Sequence, residues 1–422
     1  MRIFILRHRF MCSLKDVPTA AGTRVVQTKC KQKPRLLCRR LEAQGTMVRL
    51  RNFRLKVVFA RVSPKLAVFF IACAVVVYNE VFSFLVSSWQ WPNMTPTDED
   101  DLRVLFVADP QLVGLRDELP LVGIITRWDA DKYLQFGFFH AVGYVRPDVV
   151  VFLGDLLDEG SISSDDEYTT YVRRFRNVFR MPGTAKSVVI SGDNDVGGEG
   201  TDYKQPRKVD RFREHFEFSK AGNHNMYIST IKHVDFQKIS FDYGEQISQS
   251  YIEMLSDMRA RSPGRYRIAC NHMPLLHRLP VEVSTIIGIL QPHLIVTAHT
   301  HVFRLYRCKH CQPQESSPNV QSATKAHAVD VGNLPRPLLF NLSDVSQLNE
   351  LVIPTCSYRM GVPNMGYGAA AVSKNGQMKF DILWLPSRYR QLMSYIVILS
   401  LIAMWLLVST VYKYCKMLID LN

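Results

Sequence analysis

Acidic side chains are almost missing from the first 65 positions, where Asp16 and Glu42 stand against 17 Lys and Arg. Residues 66–422 hold 35 basic and 36 acidic groups and are nearly neutral, so the chain's formal charge of +14 sits in its N-terminal segment. A folded body without surplus positive charge argues against nucleic-acid binding, whose footprint is a basic patch on the folded part. Cysteine is also scarce where a structural zinc site would need it. Cys308-Lys309-His310-Cys311 has no second pair to complete four ligands, which leaves a local disulfide or plain loop thiols. No internal repeat is present.

Charge is lacking again in two long apolar runs. Leu66–Ser88 has Glu80 as its only formal charge, and Met393–Tyr412 has none. At 1.5 Å per residue the first run spans about 34 Å as a helix, enough to cross a bilayer. Trp89 and Trp91 stand where an aromatic belt would lie. Glu80 is either functional or turned towards the other span. The Lys/Arg excess places the N-terminus in the cytosol by the positive-inside rule. The expected organisation is a basic cytosolic segment 1–65, spans 66–88 and 393–412, a lumenal domain 99–387 and a cytosolic tail 413–422. An Arg-rich, acid-poor leader is equally the composition of a mitochondrial transit peptide. A start at Met47 would remove residues 1–46. Composition does not separate these alternatives.

Five short apolar runs each stop at a residue able to hold a metal. Arg103–Ala108 stops at Asp109, Val149–Leu153 at Gly154-Asp155, and Lys186–Ser191 at Gly192-Asp193-Asn194-Asp195. Arg265–Cys270 stops at Asn271-His272, and His293–Thr297 at Ala298-His299-Thr300-His301. Runs of five or six residues rich in Val, Ile, Leu and Phe suit buried strands. Helical spacing is expected over Asp129–Val145, Asp165–Phe179 and Ile247–Arg259. Glu350–Ile353, Tyr367–Val372 and Met378–Trp384 are expected to close a second sheet, and residues 308–347 to form a loop insertion. Such alternation predicts a layered α/β core. In α/β sheets ligands gather beyond the carboxyl ends of the strands, so these side chains should meet at one place. Three carboxylates buried together repel unless a cation lies between them. His299 and His301, two apart on an extended segment, point to the same side.

The order and context of these blocks resemble the calcineurin-like metallophosphoesterases. Asp109-Pro110-Gln111, Gly154-Asp155-Leu156-Leu157-Asp158, Gly192-Asp193-Asn194-Asp195, His272 and Ala298-His299-Thr300-His301 stand for D-x-H, G-D-x-x-D, G-N-H-D/E, an isolated His and G-H-x-H. Phe106–Asp109, Gly154–Gly160, His272–Leu275 and Val352–Tyr358 are similar to the family's membrane-anchored subgroup, the post-GPI-attachment phosphoesterases. The resemblance covers residues 66–412. It implies a four-layer αββα sandwich flanked by two transmembrane helices. It also implies two divalent ions, one held by Asp109, Gln111, Asp155 and His301, the other by Asp155, Asp193, His272 and His299.

The implied activity is phosphodiester cleavage by a hydroxide activated between two metals, removing ethanolamine phosphate from GPI-anchor glycans. The implied setting is the membrane of the endoplasmic reticulum, its exit sites or the Golgi. GPI-anchored proteins or glycolipids would be the substrates and the lipid bilayer a partner. Three departures stand out. Gln111 replaces an imidazole with an amide, Asp193 replaces Asn, and Asn194 replaces the His that meets the phosphate. More oxygen ligands favour Mn2+ or Mg2+ over zinc, with Mn2+ the expected metal. An amide cannot give and take a proton near neutral pH as an imidazole can. The catalytic positions would be Asn194 and Asp195, with Asp195 or a water replacing the missing proton donor. The alternative is a weakened or inactive phosphoesterase relative that binds glycolipid or cargo. Arg359 and Tyr367 are further candidates to reach the phosphate.

Overall fold

A computed structural model describes residues 63–116, 118–198, 200–217, 227–243, 246–262, 265–309, 311 and 326–421. The basic N-terminal segment up to residue 62 and the middle of the expected insertion, 312–325, lie outside these residues.

Each of the five apolar runs is a strand: β1 (Leu102–Val107), β2 (Val149–Leu153), β3 (Lys186–Ile190), β6 (Tyr266–Cys270) and β7 (Leu294–Thr297). Between β3 and β6 come β4 (Ile228–Ile231) and β5 (Val234–Lys238). After β7 follow β8 (Arg304–Lys309), β9 (His327–Val329), β10 (Leu338–Asn341), β11 (Gln347–Val352), β12 (Gly366–Val372) and β13 (Gln377–Trp384). One sheet runs β10-β13-β12-β1-β2-β3 and the other β4-β5-β6-β7-β11-β8-β9. Within the first, β1, β2 and β3 are parallel, and within the second, β5, β6, β7 and β11 are parallel.

The longer helices are α1 (Pro64–Trp89), α2 (Pro120–Val145), α3 (Asp165–Val178), α4 (Gln249–Ala260), α5 (Val281–Leu290) and α6 (Arg388–Asp420). Val104, Phe106 and Val151 of the first sheet pack with Phe236, Ile268 and Val296 of the second, forming the inter-sheet core. The outer face of the first sheet is covered by α2 and α3, through Leu134, Phe138, Tyr171 and Phe175. The outer face of the second is covered by α4 and α5, through Leu255, Met258, Val283 and Ile287. The layers therefore run α, β, β, α, as the amphipathic α3 and the strands buried on both faces require. Ser164 and Glu167 form a capping box at the start of α3, with Asp165 and Asp166 in its first turn.

Three expectations need correction. Helix α2 starts at Pro120 rather than Asp129, because Pro suits a first helical turn and nothing in 121–128 breaks the helix. Of the expected closing strands only β11 joins the second sheet. β12 and β13 extend the first, with β12 antiparallel to β1. Gly368 lets them meet closely, since a Cβ there would lie 3.1 Å from the Cβ of Phe106. Strands β9 and β10 occupy part of the expected loop insertion. Cys308 and Cys311 form the local disulfide.

Helices α1 and α6, of 26 and 33 residues, are long and apolar enough to cross a membrane. Helix α6 extends on both sides of the expected span 393–412, from Arg388 through Lys413 and Lys416 to Asp420, with no Gly or Pro to interrupt it. Helix α1 contains a π-helical turn, Tyr78–Phe82, which holds Asn79 and Glu80. Glu80 accepts from Arg388 Nη1 at 2.9 Å and from the Tyr395 hydroxyl at 2.6 Å. Asn79 Nδ2 donates to Ser394 Oγ at 2.7 Å, and Gln391 Nε2 donates to Ser83 Oγ at 2.7 Å. Glu80 thus faces the other apolar helix. Arg388 also pairs with Asp129 of α2, whose Oδ2 accepts from the Tyr358 hydroxyl at 2.7 Å. Removing Arg388 leaves two carboxylates facing one another without a cation. Arg388→Met is expected to cost about 3 kcal/mol of stability in detergent, and Glu80→Gln in the same chain to restore part of it. Thermal melts of the single and double variants check this; a neutral single variant would refute it.

Candidate metal centre

The ends of β1, β2 and β7 turn through backbone conformations that side chains with a Cβ rarely adopt. Asp109, Gln111, Asp155, His299 and His301 have φ of 45°, 38°, 51°, 65° and 62°. Each such residue costs on the order of 1 kcal/mol and persists only where its surroundings impose it. Here they do. Gln111 N donates to Asp155 O at 2.9 Å, and Thr355 Oγ1 to Asp109 O at 2.7 Å. Thr355 N reaches His301 O at 3.2 Å, and Cys356 N reaches Ala108 O at 3.1 Å. The segment after β11 therefore braces both the Asp109 and the His301 turns. Gly192 is required beside Asp155, because a Cβ there would lie 2.1 Å from Asp155 Oδ1.

These turns bring the candidate ligands into two overlapping groups. Asp155, Asp193, His272 and His299 present ligand atoms within 4.8 Å of one another, and so do Asp109, Asp155 and His301. Asp155 alone belongs to both. His272 Nε2 lies 3.0 Å from Asp193 Oδ1 and 3.5 Å from Asp155 Oδ1. His299 Nδ1 lies 3.2 Å from Asp193 Oδ1 and 3.3 Å from His272 Nε2. His301 Nε2 lies 3.9 Å from Asp109 Oδ1.

The donor chemistry fits a cation. His272 Nδ1 sits 2.8 Å from the carbonyl of Leu153, which can only accept, so Nδ1 carries the proton. The neutral ring then turns the Nε2 lone pair towards Asp193 and Asp155, the usual outer-partner arrangement of a metal-bound histidine. Asp193 Oδ1 and Asp109 Oδ2 are buried without a hydrogen-bond donor. Lone pairs confronting lone pairs in a buried site lack a positive partner.

Without a cation, protons fill that role. Burial pushes the Asp109 carboxyl up to about 8. Burial opposes charge on His272, yet the facing carboxylates, Asp155 foremost, outweigh it and raise its pKa. Burial holds His301 down to about 4, so its lone pair stays available. Metal must displace the extra protons. Binding of Mn2+ is therefore expected to release protons and to tighten as pH rises from about 6 to about 8, the range set by Asp109. Calorimetry in two buffers of different ionisation enthalpy checks it; identical heats in both would refute it.

All seven expected metal ligands reach the site, but Gln111 plays a different part there. Its Nε2 donates to Asp155 Oδ2 at 2.8 Å and lies 3.5 Å from His301 Nε2. To act as a ligand the amide must rotate and present Oε1. Asn194 donates from its backbone to Asp155 Oδ1 and from its side chain to Asp155 Oδ2, both at 3.0 Å. Its amide orients the shared carboxylate.

Asp195 does not fit the role of alternative proton donor. It is fully buried and accepts from Leu156 N, Leu157 N and Gly192 N at 2.9–3.1 Å. It positions the Asp155 turn. Tyr367 is buried in the outer core of the first sheet, and Arg359 is paired with Glu118.

Glu350 was not singled out from sequence. Its carboxylate accepts from Leu275 N, Leu276 N and Thr297 Oγ1 at 2.7–2.8 Å, tying the loop after His272 to the strand before His299. A lone acid within the apolar Leu348–Ile353 run was the available signal. Asn271 was visible as the neighbour of His272; its side chain clasps Phe241 N and O at 3.0 Å each.

Residues 102–303 match the calcineurin-like phosphoesterase family. A Danio rerio protein named Metallophosphoesterase 1 is 32% identical over 168 residues, covering 40% of this chain and 40% of that protein. A Drosophila melanogaster Metallophosphoesterase 1 homolog is 31% identical over 174 residues, 40% of this chain and 44% of its own length. A Caenorhabditis elegans homolog is 25% identical over 220 residues, 51% of this chain and 58% of that protein. The chain thus spans well under two thirds of the length of these relatives. All six side chains of the two ligand groups, and Gln111 beside them, fall inside the matched stretch. Over residues 102–303 the chain is similar to the calcineurin-like phosphoesterases, and within that fold to proteins named Metallophosphoesterase 1.

Proposed function

We propose that the chain is a membrane-anchored, metal-dependent phosphodiesterase that removes ethanolamine phosphate from GPI-anchor glycans in the early secretory pathway. The observation that carries the hydrolytic part is the pair of ligand groups sharing Asp155. Divalent cations held there would supply Lewis acidity towards a phosphoryl group and a water acidic enough to ionise near neutral pH. The chain's own residues do the rest. Asn194 and Gln111 fix both oxygens of Asp155, and the Leu153 carbonyl fixes the tautomer of His272. Glu350 and Thr355 hold the turns that carry His272, His301 and Asp109. The oxygen-rich donor set favours Mn2+.

Support for the lumenal site comes from the two apolar helices and the basic segment before the first. The placement in membranes of the endoplasmic reticulum, its exit sites or the Golgi is supported by the subgroup resemblance alone. The GPI substrate is supported by the subgroup resemblance alone. Incubating the full chain and Mn2+ with a GPI glycan bearing ethanolamine phosphate tests it by mass spectrometry. Loss of that group is the expected result. An intact glycan beside cleavage of bis(p-nitrophenyl) phosphate would remove the GPI substrate and leave the phosphodiesterase.

A second reading, a weakened relative that binds glycolipid or cargo, is favoured by one observation. Gln111 and Asn194 both turn amide N–H groups onto Asp155, and neither can act as a general acid near neutral pH.

A further inference from the structure

The first two turns of α2 expose a broad apolar face that no described part of the fold covers. Leu119, Leu121, Val122, Ile124, Ile125 and Trp128 are exposed, Leu121 at 82% and Ile125 at 68%. At 3.6 residues per turn, positions 121, 122, 124, 125 and 128 fall within an arc of about 160°. A patch of this kind on a folded domain marks a contact surface.

Its neighbours identify the contact. Tyr144 of α2 stacks edge-on with Trp91 just past α1, Phe84 of α1 lies against Tyr133 and His140, and Arg388 joins Asp129 to Glu80. Going down α2 towards its N-terminus thus follows α1 towards its own N-terminus. The turns from 121 to 128 continue past Asp129 by up to about 12 Å, to the level of the apolar stretch of α1 before Tyr78. The polar groups in these turns are already satisfied. Thr126 Oγ1 donates to Val122 O at 2.9 Å, and Arg127 Nη1 donates to Gly114 O at 3.2 Å. At the upper end of the face, Lys132 Nζ sits 4.6 Å from the centre of the Trp128 ring, the aromatic and cationic boundary found where a helix leaves lipid.

We infer that the N-terminal half of α2 inserts into the lumenal leaflet beside α1 and α6, with lipid acyl chains covering its apolar face. This rests on the membrane-spanning reading of α1 and α6. The segment that leaves Gln111 is clamped by Glu159 through Leu115 N and Arg116 N, shortly before this half-helix begins. The half-helix and the metal centre are therefore joined by one short stretch of chain.

The test uses the full chain in phosphatidylcholine vesicles, with photoreactive benzoylphenylalanine replacing Ile125, Leu121, Leu399 or Val345, one at a time. Val345 is an exposed position on the domain and Leu399 an exposed position on α6. Lipid adducts are counted by mass spectrometry after irradiation. Adducts at 125, 121 and 399, at least about tenfold above position 345, are the expected result. Adducts at 399 with none at 125 or 121 overturn the insertion and keep the spans. No adducts at 399 overturn the spans and the insertion with them. A cross-linked dimer from 125 or 121 in place of a lipid adduct overturns the insertion in favour of a second copy.

Discussion

Asp155→Asn in the full chain is expected to take bound Mn2+ from two ions to none and to lower phosphodiester turnover roughly 1000-fold or more, the scale of losing a principal electrostatic contributor. Asp155 is the one side chain in both ligand groups, so an amide there weakens both sites together. The substitution is nearly isosteric, but it also disturbs the three N–H groups from Asn194 and Gln111 that converge on the carboxylate. His301→Ala touches only the group that also contains Asp109, and is expected to leave one ion bound. Metal content by mass spectrometry, read beside turnover of bis(p-nitrophenyl) phosphate, separates the cases. A variant of Asp155 that keeps both ions and full turnover would show that the shared carboxylate is not the hub.

The second large effect runs in the opposite direction. Asn194→His combined with Gln111→His is expected to raise turnover about 100-fold, the lower end of what a placed proton donor contributes. Asn194 is only half-buried, so an imidazole has room to face an incoming phosphate, and its backbone N–H keeps the bond to Asp155 Oδ1. His at 111 would offer a ring nitrogen where the native amide offers a donor to Asp155. Bell-shaped dependence of kcat on pH, absent in the parent, would mark the new acid. Unchanged turnover would mean that the two amides do not limit the parent chain.

The strand ends were legible because apolar runs stopping at Asp or His combine two independent signals, burial and chemistry. Asp109, Asp155, Asp193, His272, His299 and His301 all reach the centre for that reason. What sequence could not assign was the direction of an amide. Gln111 and Asn194 occupy expected positions, yet both turn towards Asp155. Asp195 looked like a spare acid because its neighbours in sequence are ligands; its actual partners are backbone N–H groups on the other side of the β2 turn. Glu350 was hidden by distance, since its carboxylate serves residues 53 and 75 positions away. The start of α2 was hidden by orientation: the apolar arc of residues 121–128 is exposed while the later turns bury theirs, so no single apolar face runs the length of the helix. The allocation of β12 and β13 to the first sheet depends on pairing with β1, which no local pattern reveals.

The left-handed turns at Asp109, Gln111, Asp155, His299 and His301 have a practical corollary for anyone wishing to transplant this chemistry. Copying seven side chains onto a different scaffold would point most of them the wrong way. The portable unit is the set of kinked loop backbones together with Thr355, which braces two of them, and Gly192, which leaves room for Asp155. For the same reason β-branched residues are barred from these positions on conformational grounds alone, whatever metal they face.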